Sequence, residues 1–181
     1  MMSLIVTGTI GIDTVETPSG GRHEELLGGS AVYFAAAASF YCPSRMVAAV
    51  GDDFPAPFMK TLESFNDLDL EGLEVRKGSK TFRWGGKYHD DMDQRDTLFT
   101  DLGVLEEAPP VVPESFKDSQ VVFLANSHPM VQIGMLEQVK EPALSVADTM
   151  NLWIDIAKPE LTQLLGMVDG LVLNFDEAEQ F

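Results

Sequence analysis

The chain contains little cysteine and little positive charge. Cys42 is the only cysteine among 181 residues, so an intramolecular disulfide is impossible and a cysteine-based zinc site lacks ligands. Twelve lysines and arginines stand against 29 aspartates and glutamates, which gives a net charge of −17 at pH 7. A nucleic-acid backbone or an anionic membrane surface would repel this charge, so we expect neither as a partner.

Long hydrophobic runs and targeting segments are missing as well. No apolar stretch reaches the roughly 20 residues that a membrane-spanning helix needs, and residues 1–4 carry no basic region or signal-type cleavage site. Together with the single cysteine, this predicts a cytoplasmic protein. Apolar residues make up 45% of the chain and charged residues 23%, which is enough for one sizeable core and predicts a single folded domain.

Short apolar runs alternate along the chain with segments of helical spacing. The runs do not alternate internally, which is typical of strands covered on both faces of a parallel sheet. Between them, apolar residues recur every three or four positions around Leu62, Met135 and Leu164. Alternating strands and helices predict an α/β fold. The predicted strands are residues 4–6, 46–50, 121–125, 144–147 and 171–173.

Two further stretches predict a second, smaller sheet. In residues 81–89 apolar and polar side chains alternate, with Trp84 on the apolar side, which indicates a strand with one dry face. An acidic turn at residues 90–93 returns this strand as a hairpin, and a Pro-Ser-Gly-Gly turn at residues 18–21 predicts another hairpin. We expect these strands, within residues 10–27 and 81–104, to form a lid or an oligomer contact.

The most informative segment is the glycine pair Gly28-Gly29, followed by Ser30 and an alanine-rich helix. Ser30 is a natural N-cap, and the near absence of charge after it predicts that the helix is buried. Glycines let a backbone approach a ligand closely, and free N–H groups at a helix start favour oxygen-rich groups. The alternative is a tight loop that packs a core helix.

Acidic and amide side chains follow several predicted strands, where ligands bind in open α/β sheets. Asp13 suits a polyol hydroxyl, although a solvated turn aspartate is the alternative. Asp52 or Asp53 is expected to cap the next helix, with a substrate hydroxyl as the alternative role. Asn174 and Glu177 have the oxygen ligands that hydrated Mg²⁺ accepts, and a helix capping box is the alternative.

Several other motifs that would indicate a specific chemistry are incomplete or absent. The acidic turn that contains His89 and Asp93 lacks the glycine and glutamate of a calcium loop, so a solvated hairpin turn is expected. The glycine fingerprint of dinucleotide-binding enzymes, the phosphate-binding loop of nucleotide hydrolases and the serine-hydrolase elbow do not occur. An NAD-dependent oxidoreductase, which the fold class would otherwise allow, is therefore disfavoured.

In their order and spacing, these segments resemble the ribokinase-like (PfkB-type) carbohydrate kinase family. The resemblance runs over residues 1–181, which it assigns to the amino-terminal part of one ribokinase-like domain. It rests on the opening strand with Gly8 and Asp13, the Gly28-Gly29-Ser30-Ala31 loop, residues 50–54, the lid strand, residues 148–151, and an Asn-x-x-Glu motif at Asn174 and Glu177.

The resemblance implies ATP-dependent transfer of a phosphoryl group to a hydroxyl of a sugar or nucleoside, with ATP and Mg²⁺ as cofactors. A small β lid would close over an acceptor bound against the parallel sheet. The implied acceptor ligands are Asp13, Gly28, Gly29, Ser30, Tyr33 and Trp84, and the implied magnesium ligands are Asn174 and Glu177. Many members carry asparagine where this chain has Tyr33, which makes a bulkier or aromatic acceptor conceivable.

One family motif has no counterpart here. The resemblance places the catalytic base in a Gly-Ala-Gly-Asp motif well after the Asn-x-x-Glu motif, and no Gly-Asp step follows Glu177. We therefore expect an incomplete ribokinase-like core that binds acceptor weakly and is inactive alone. Missing neighbours would expose a sheet edge and an apolar face, which predicts a homo-oligomer such as a dimer. The alternative is a non-catalytic sugar-binding or regulatory module.

Overall fold

Ten strands and six α-helices are formed by the residues that the computed structural model describes, which are 3–92 and 94–181. Asp93, part of the acidic turn considered above, lies outside these ranges. The strands are β1 (Leu4–Thr7), β2 (Gly11–Thr17), β3 (Gly21–Gly28), β4 (Ser44–Gly51), β5 (Leu68–Arg76), β6 (Phe82–Tyr88), β7 (Arg95–Asp101), β8 (Val121–Leu124), β9 (Leu144–Asp148) and β10 (Gly170–Val172). The helices are α1 (Ser30–Ala38), α2 (Ala56–Glu63), α3 (Pro129–Leu136), α4 (Asn151–Ile156), α5 (Lys158–Leu165) and α6 (Phe175–Gln180). None of these helices is long and apolar enough to cross a bilayer.

The main sheet is parallel and has the strand order β10-β9-β8-β1-β4-β5. All five apolar runs of the sequence form strands of this sheet, so the predicted α/β class is confirmed. The sequence patterns did not predict β5. This strand lies at the sheet edge, where Leu68 and Leu70 pack inward while Asp69 and Glu71 face solvent, so it lacks the continuous apolar run of a central strand.

The small sheet has the order β3-β2-β6-β7, and both predicted hairpins are present. Strands β2 and β3 pair antiparallel, as do β6 and β7, whereas β2 and β6 pair in parallel. This four-stranded sheet is called the lid below. Its two central strands place Asp13 directly opposite Trp84.

Helices cover the main sheet unequally. Side chains of α3 and α5 pack with β8 and β9 in one core cluster on one face, and α1 packs on β1 and β4 on the other face. The prediction that α1 is buried is correct for only one side, formed by Ala31, Val32 and Ala35. Tyr33 is 66% exposed. The helix contacts β1, β3 and β4, and the side that carries Tyr33 stays largely exposed.

An apolar part of the main sheet lies beside α1 and is called the open face. The β8–β9 register pairs Val121 with Leu144 and Phe123 with Val146, so these side chains share one face. Phe34 of α1 stacks on Phe123 with ring centroids 3.7 Å apart. Further along the face, Leu144 is 43% exposed and Val172 is 50% exposed. The open face comprises Val121, Phe123, Leu144, Val146 and Val172.

Candidate functional site

Asp13 lies on β2 of the lid, with its carboxyl group against the backbone of Gly28 on β3. A Cβ atom added to Gly28 would overlap the Asp13 carboxyl oxygens, so only glycine leaves room for this carboxylate. Burial raises the pKa of Asp13 from 3.8 to about 6. Asp13 is thus a partly buried strand residue, and not the solvated turn aspartate of the alternative interpretation.

Gly29 and Ser30 join the lid to α1. Gly29 has a φ of 105°, and a Cβ atom there would overlap the carbonyl group of Thr9. The prediction that Ser30 is the N-cap is wrong: Gly29 occupies that position, and Ser30 is the first helical residue. The Ser30 hydroxyl turns inward and donates to the Asn126 carbonyl oxygen at 3.0 Å, which ties α1 to the end of β8.

The first N–H groups of α1 already have partners. The Ser30 N–H donates to the Thr9 hydroxyl at 3.2 Å, and the Ala31 N–H donates to the Thr9 carbonyl oxygen at 3.1 Å. The sequence-based expectation that free N–H groups here attract an oxygen-rich ligand is therefore wrong for these two groups. Gly28 contributes to the site by giving Asp13 its space, whereas Gly29 makes room for the backbone of Thr9.

Aromatic side chains lie on the same face of the lid as Asp13. Trp84 is its register partner on β6, and the indole ring lies over Gly86, where a Cβ atom would overlap it. Tyr88 follows four residues later on β6 and shares this face. Partial desolvation, and then the charges of Asp13 and Tyr88, raise the pKa of the largely exposed Tyr33 on α1. Tyr33 therefore lies close enough to Asp13 and Tyr88 for their charges to interact.

We call Asp13, Gly28, Tyr33, Trp84 and Tyr88 the lid site. The alternation in residues 81–89 puts Tyr88 on the same side of the strand as Trp84, but Tyr88 was not predicted as a site residue. The alternation of residues 82, 84, 86 and 88 was the signal that would have found it. Tyr88 also borders a polar cavity of about 630 Å³ at the outer end of the lid, lined further by Glu16, Thr17, Pro18, Gly21, Arg22, Lys87, His89, Asp90 and Asp96.

A second group of polar side chains lies at the carboxyl ends of β8 and β9. The Asp148 carboxylate accepts hydrogen bonds from the backbone N–H groups of Asn126 and Thr149. Its pKa is raised, first by burial and then by the charge of Glu177, although these hydrogen bonds oppose the shift. The amide of buried Gln132 donates to the Asp148 carbonyl oxygen at 2.8 Å and holds the two strand ends together.

Asn174 and Glu177 begin α6 as a capping box, so this alternative interpretation is confirmed. The Glu177 N–H donates to Asn174 Oδ1 at 2.8 Å, and the Asn174 N–H donates to Glu177 Oε2 at 3.0 Å. Amide and carboxylate oxygens beside the charge of Asp148 also fit Mg²⁺, which keeps several waters and needs few protein ligands. Among residues 3–92 and 94–181, no three acidic, histidine or cysteine side chains cluster as a metal site.

The prediction that Asp52 or Asp53 caps α2 is wrong. Pro55 occupies the N-cap position of α2, and no side chain caps that helix. Asp52 Oδ2 instead accepts a hydrogen bond from the Gly78 N–H at 2.8 Å, and Asp53 Oδ1 accepts one from the Thr81 N–H at 2.7 Å. Both carboxylates therefore bind the segment that enters β6 of the lid.

A parallel six-stranded sheet that carries a four-stranded lid is the ribokinase-like fold, and comparison with solved structures bears this out. The nucleoside kinase of Methanocaldococcus jannaschii, an archaeal member of the ribokinase family, aligns with a TM-score of 0.77 and 17% identity over 99% of this chain. A putative ribokinase II from E. coli, in complex with ATP and Mg²⁺, aligns with a TM-score of 0.75 and 15% identity over 94% of this chain. The sequence resemblance to ribokinase-like kinases is confirmed.

A curated relative agrees with the fold. The cytidine kinase of Thermococcus kodakarensis is 28% identical over 148 residues, which is 81% of this chain. No family model matches the sequence. The chain spans about half the length of the curated relative, 51%, and 63% and 61% of the two solved structures.

Proposed function

We propose that this chain forms the acceptor-binding part of an ATP-dependent kinase that phosphorylates a hydroxyl group of a nucleoside. The observation that carries the proposal is the pairing of a partly buried carboxylate with an indole ring. Asp13 and Trp84 share one face of the lid, and Gly28 leaves room for the carboxylate. A hydrogen-bond acceptor beside an aromatic surface suits a ligand with both hydroxyl groups and a ring system.

Asp13 is the residue that we assign to the acceptor hydroxyls. An ionised carboxylate accepts hydrogen bonds that are shorter and about twice as strong as those between neutral groups. Its partial burial strengthens such bonds because fewer waters compete for the oxygens. Asp13 therefore orients the acceptor and holds its hydroxyls, which is the positioning part of phosphoryl transfer.

The aromatic residues favour a nucleoside over a simple sugar. A nucleobase stacked on an aromatic side chain gains about 1–3 kcal/mol. Trp84 and Tyr88 project from the lid, and Tyr33 reaches the same site from α1. The names of two relatives, cytidine kinase and nucleoside kinase, support the same substrate class.

Asn174 and Glu177 are the residues that we assign to Mg²⁺. When bound, the ion compensates the negative charge of the phosphates, and ATP supplies the phosphoryl group. The ATP and Mg²⁺ complex of the E. coli relative supports both cofactors. The prediction that the 181-residue chain is inactive by itself remains a prediction, tested by ATP-dependent phosphorylation of cytidine.

The test of the proposed function is direct binding. Isothermal titration of the chain with cytidine, adenosine, ribose and fructose is expected to show saturable binding of a nucleoside and weaker binding of the free sugars. Asp13→Asn is expected to abolish the heat of binding, whereas Asp69→Asn, on the edge strand β5, leaves it unchanged. Equal binding by Asp13→Asn, or binding of none of these compounds, would refute the proposal.

A further inference from the structure

The two ends of the β6–β7 hairpin meet at the carboxyl end of β4. At the entry, the Gly51 N–H donates to the Thr81 hydroxyl at 3.0 Å, and Asp53 Oδ1 accepts from the Thr81 N–H at 2.7 Å. At the exit, the Val104 N–H donates to the Lys80 carbonyl oxygen at 2.8 Å. Thr81 is 1% exposed, so both of its hydrogen bonds are shielded from water.

The backbone at this junction is closely packed. A Cβ atom added to Gly51 would overlap the Ser79 carbonyl oxygen, and one added to Gly103 would overlap the Lys80 carbonyl oxygen. Gly103 also has a φ of 51°, a conformation that favours glycine. The hairpin therefore leaves the main sheet from a junction with little free space.

Asp53 is the charged group at the centre of this junction. Its side chain is only 18% exposed, and Oδ2 lies 3.6 Å from an Arg83 guanidinium nitrogen and 3.8 Å from Lys80 Nζ. Burial opposes ionisation, but the hydrogen bonds from Thr81 and the charges of Lys80 and Arg83 keep the pKa of Asp53 below its ordinary value. The carboxylate is thus ionised and fully engaged by the lid segment.

We infer that Asp53 is a positioning residue, which latches the lid to the main sheet and thereby sets where Trp84 lies over the acceptor. Thr81 is three residues before Trp84, a distance of about 10 Å along a strand, so a tilt at Thr81 displaces the indole ring. Strand β6 is central in the lid and pairs with β2, so the same tilt also moves Asp13. The claim about the acceptor rests on the proposed function, whereas the latch itself does not.

The first readout is hydrogen exchange in the ligand-free chain. Asp53→Ala removes both the acceptor and the charge, and amide exchange over residues 81–88 is expected to rise about tenfold. Asp53→Asn keeps an acceptor oxygen for the Thr81 N–H and should restore part of the protection. Asp69→Asn is the matched control, because Asp69 also accepts a backbone N–H, that of Glu71, but lies on β5. Circular dichroism confirms that each variant is folded.

The second readout is the affinity for cytidine, which is measured by tryptophan fluorescence. The measurements use a Trp153→Phe background, in which Trp84 is the only tryptophan. In Asp53→Ala the lid is expected to occupy its binding position less often, which should weaken the apparent affinity for cytidine about tenfold. The affinity of Asp53→Asn should lie between those of Asp53→Ala and the parent chain. Unchanged exchange over residues 81–88 in Asp53→Ala overturns the latch. Faster exchange with unchanged affinity overturns the positioning role. If Asp53→Ala exchanges faster but the parent chain does not bind cytidine, the latch is supported and the proposed function is refuted.

Discussion

Asp13 and Trp84 are register partners on two parallel strands of the lid, so the carboxylate and the indole leave the sheet on the same face. The carboxylate is partly buried, and its pKa is about 6. Burial of the Asp13 carboxylate lowers the stability of the folded protein, but the same carboxylate is the group that we assign to the acceptor. Stability and binding therefore oppose each other at this residue.

Replacement of Asp13 by asparagine is expected to stabilise the fold and abolish acceptor binding. Because the pKa of Asp13 is raised from 3.8 to about 6, burial of the charged form destabilises the folded state as the pH rises between these values. The melting temperature of Asp13→Asn should therefore exceed that of the parent chain above pH 6 and match it below pH 3.8. A variant that melts below the parent at pH 7.5 contradicts this prediction.

Acceptor affinity should depend on pH through Asp13. Ionisation of Asp13 strengthens the hydrogen bonds that it accepts, so affinity for cytidine should rise from pH 5 to pH 7, with a midpoint near 6. Titration calorimetry at half-unit steps measures this profile. We expect Asp13 to account for most of the pH dependence of the affinity for cytidine. An affinity that stays constant from pH 5 to pH 7 would contradict this prediction.

Trp84 should matter more for a nucleoside than for its sugar. Trp84→Leu removes the aromatic surface and should weaken cytidine binding by about 1–3 kcal/mol, which is roughly 5- to 150-fold, while ribose binding changes little. Trp153 donates its ring N–H to Asn126 at 2.9 Å outside the lid site, so Trp153→Phe is the control and should leave cytidine affinity unchanged. Equal losses for cytidine and ribose would remove the stacking role.

Glycine-to-alanine variants distinguish a glycine that makes room for a site residue from a glycine in a helix away from the site. Alanine at position 28 would overlap the Asp13 carboxyl group, so Gly28→Ala should weaken cytidine binding and lower the melting temperature. Gly134 lies within α3, where an added Cβ atom meets no atom within 4 Å, so Gly134→Ala should stabilise the chain by about 0.5–1 kcal/mol. Thermal melts and titrations of both variants are compared. Unchanged binding by Gly28→Ala would show that Asp13 does not need this space.

The open face should drive self-association of the 181-residue chain. Leu144 and Val172 are exposed on it, and β10 is a short strand at the sheet edge. Light scattering at increasing concentration is expected to show a dimer or larger species, which Leu144→Lys shifts toward the monomer. Leu98→Lys, on the exposed lid strand β7, is the control. A parent chain that stays monomeric at high concentration contradicts the expectation.

Much of the fold was predictable because its signals are local. The runs at residues 46–50 and 121–125 became central parallel strands, and the alternation around Trp84 became a lid strand. Strand β5 was missed because its outer side is polar. The face of α1 that carries Tyr33 was misjudged, since burial of a helix depends on neighbours that its own composition does not specify.

The residues of the candidate site could be predicted from the sequence, but most of their contacts could not. Asp13, Gly28 and Trp84 come together, although only the pairing of β2 with β3 and with β6 makes them neighbours. Asp53 was expected to cap α2, because an aspartate before a helix usually does so. Its actual partner, Thr81, lies 28 residues away, and a contact of that range leaves no local pattern in the sequence.

Nuclear magnetic resonance titration of the ¹⁵N-labelled chain with cytidine tests the lid site most directly. Saturable shifts are expected for the Trp84 indole N–H and for the Gly28 and Gly29 amides, with the same dissociation constant and with none of these shifts in Asp13→Asn. Shifts confined to residues outside the lid site, or no shift at millimolar cytidine, would contradict this expectation.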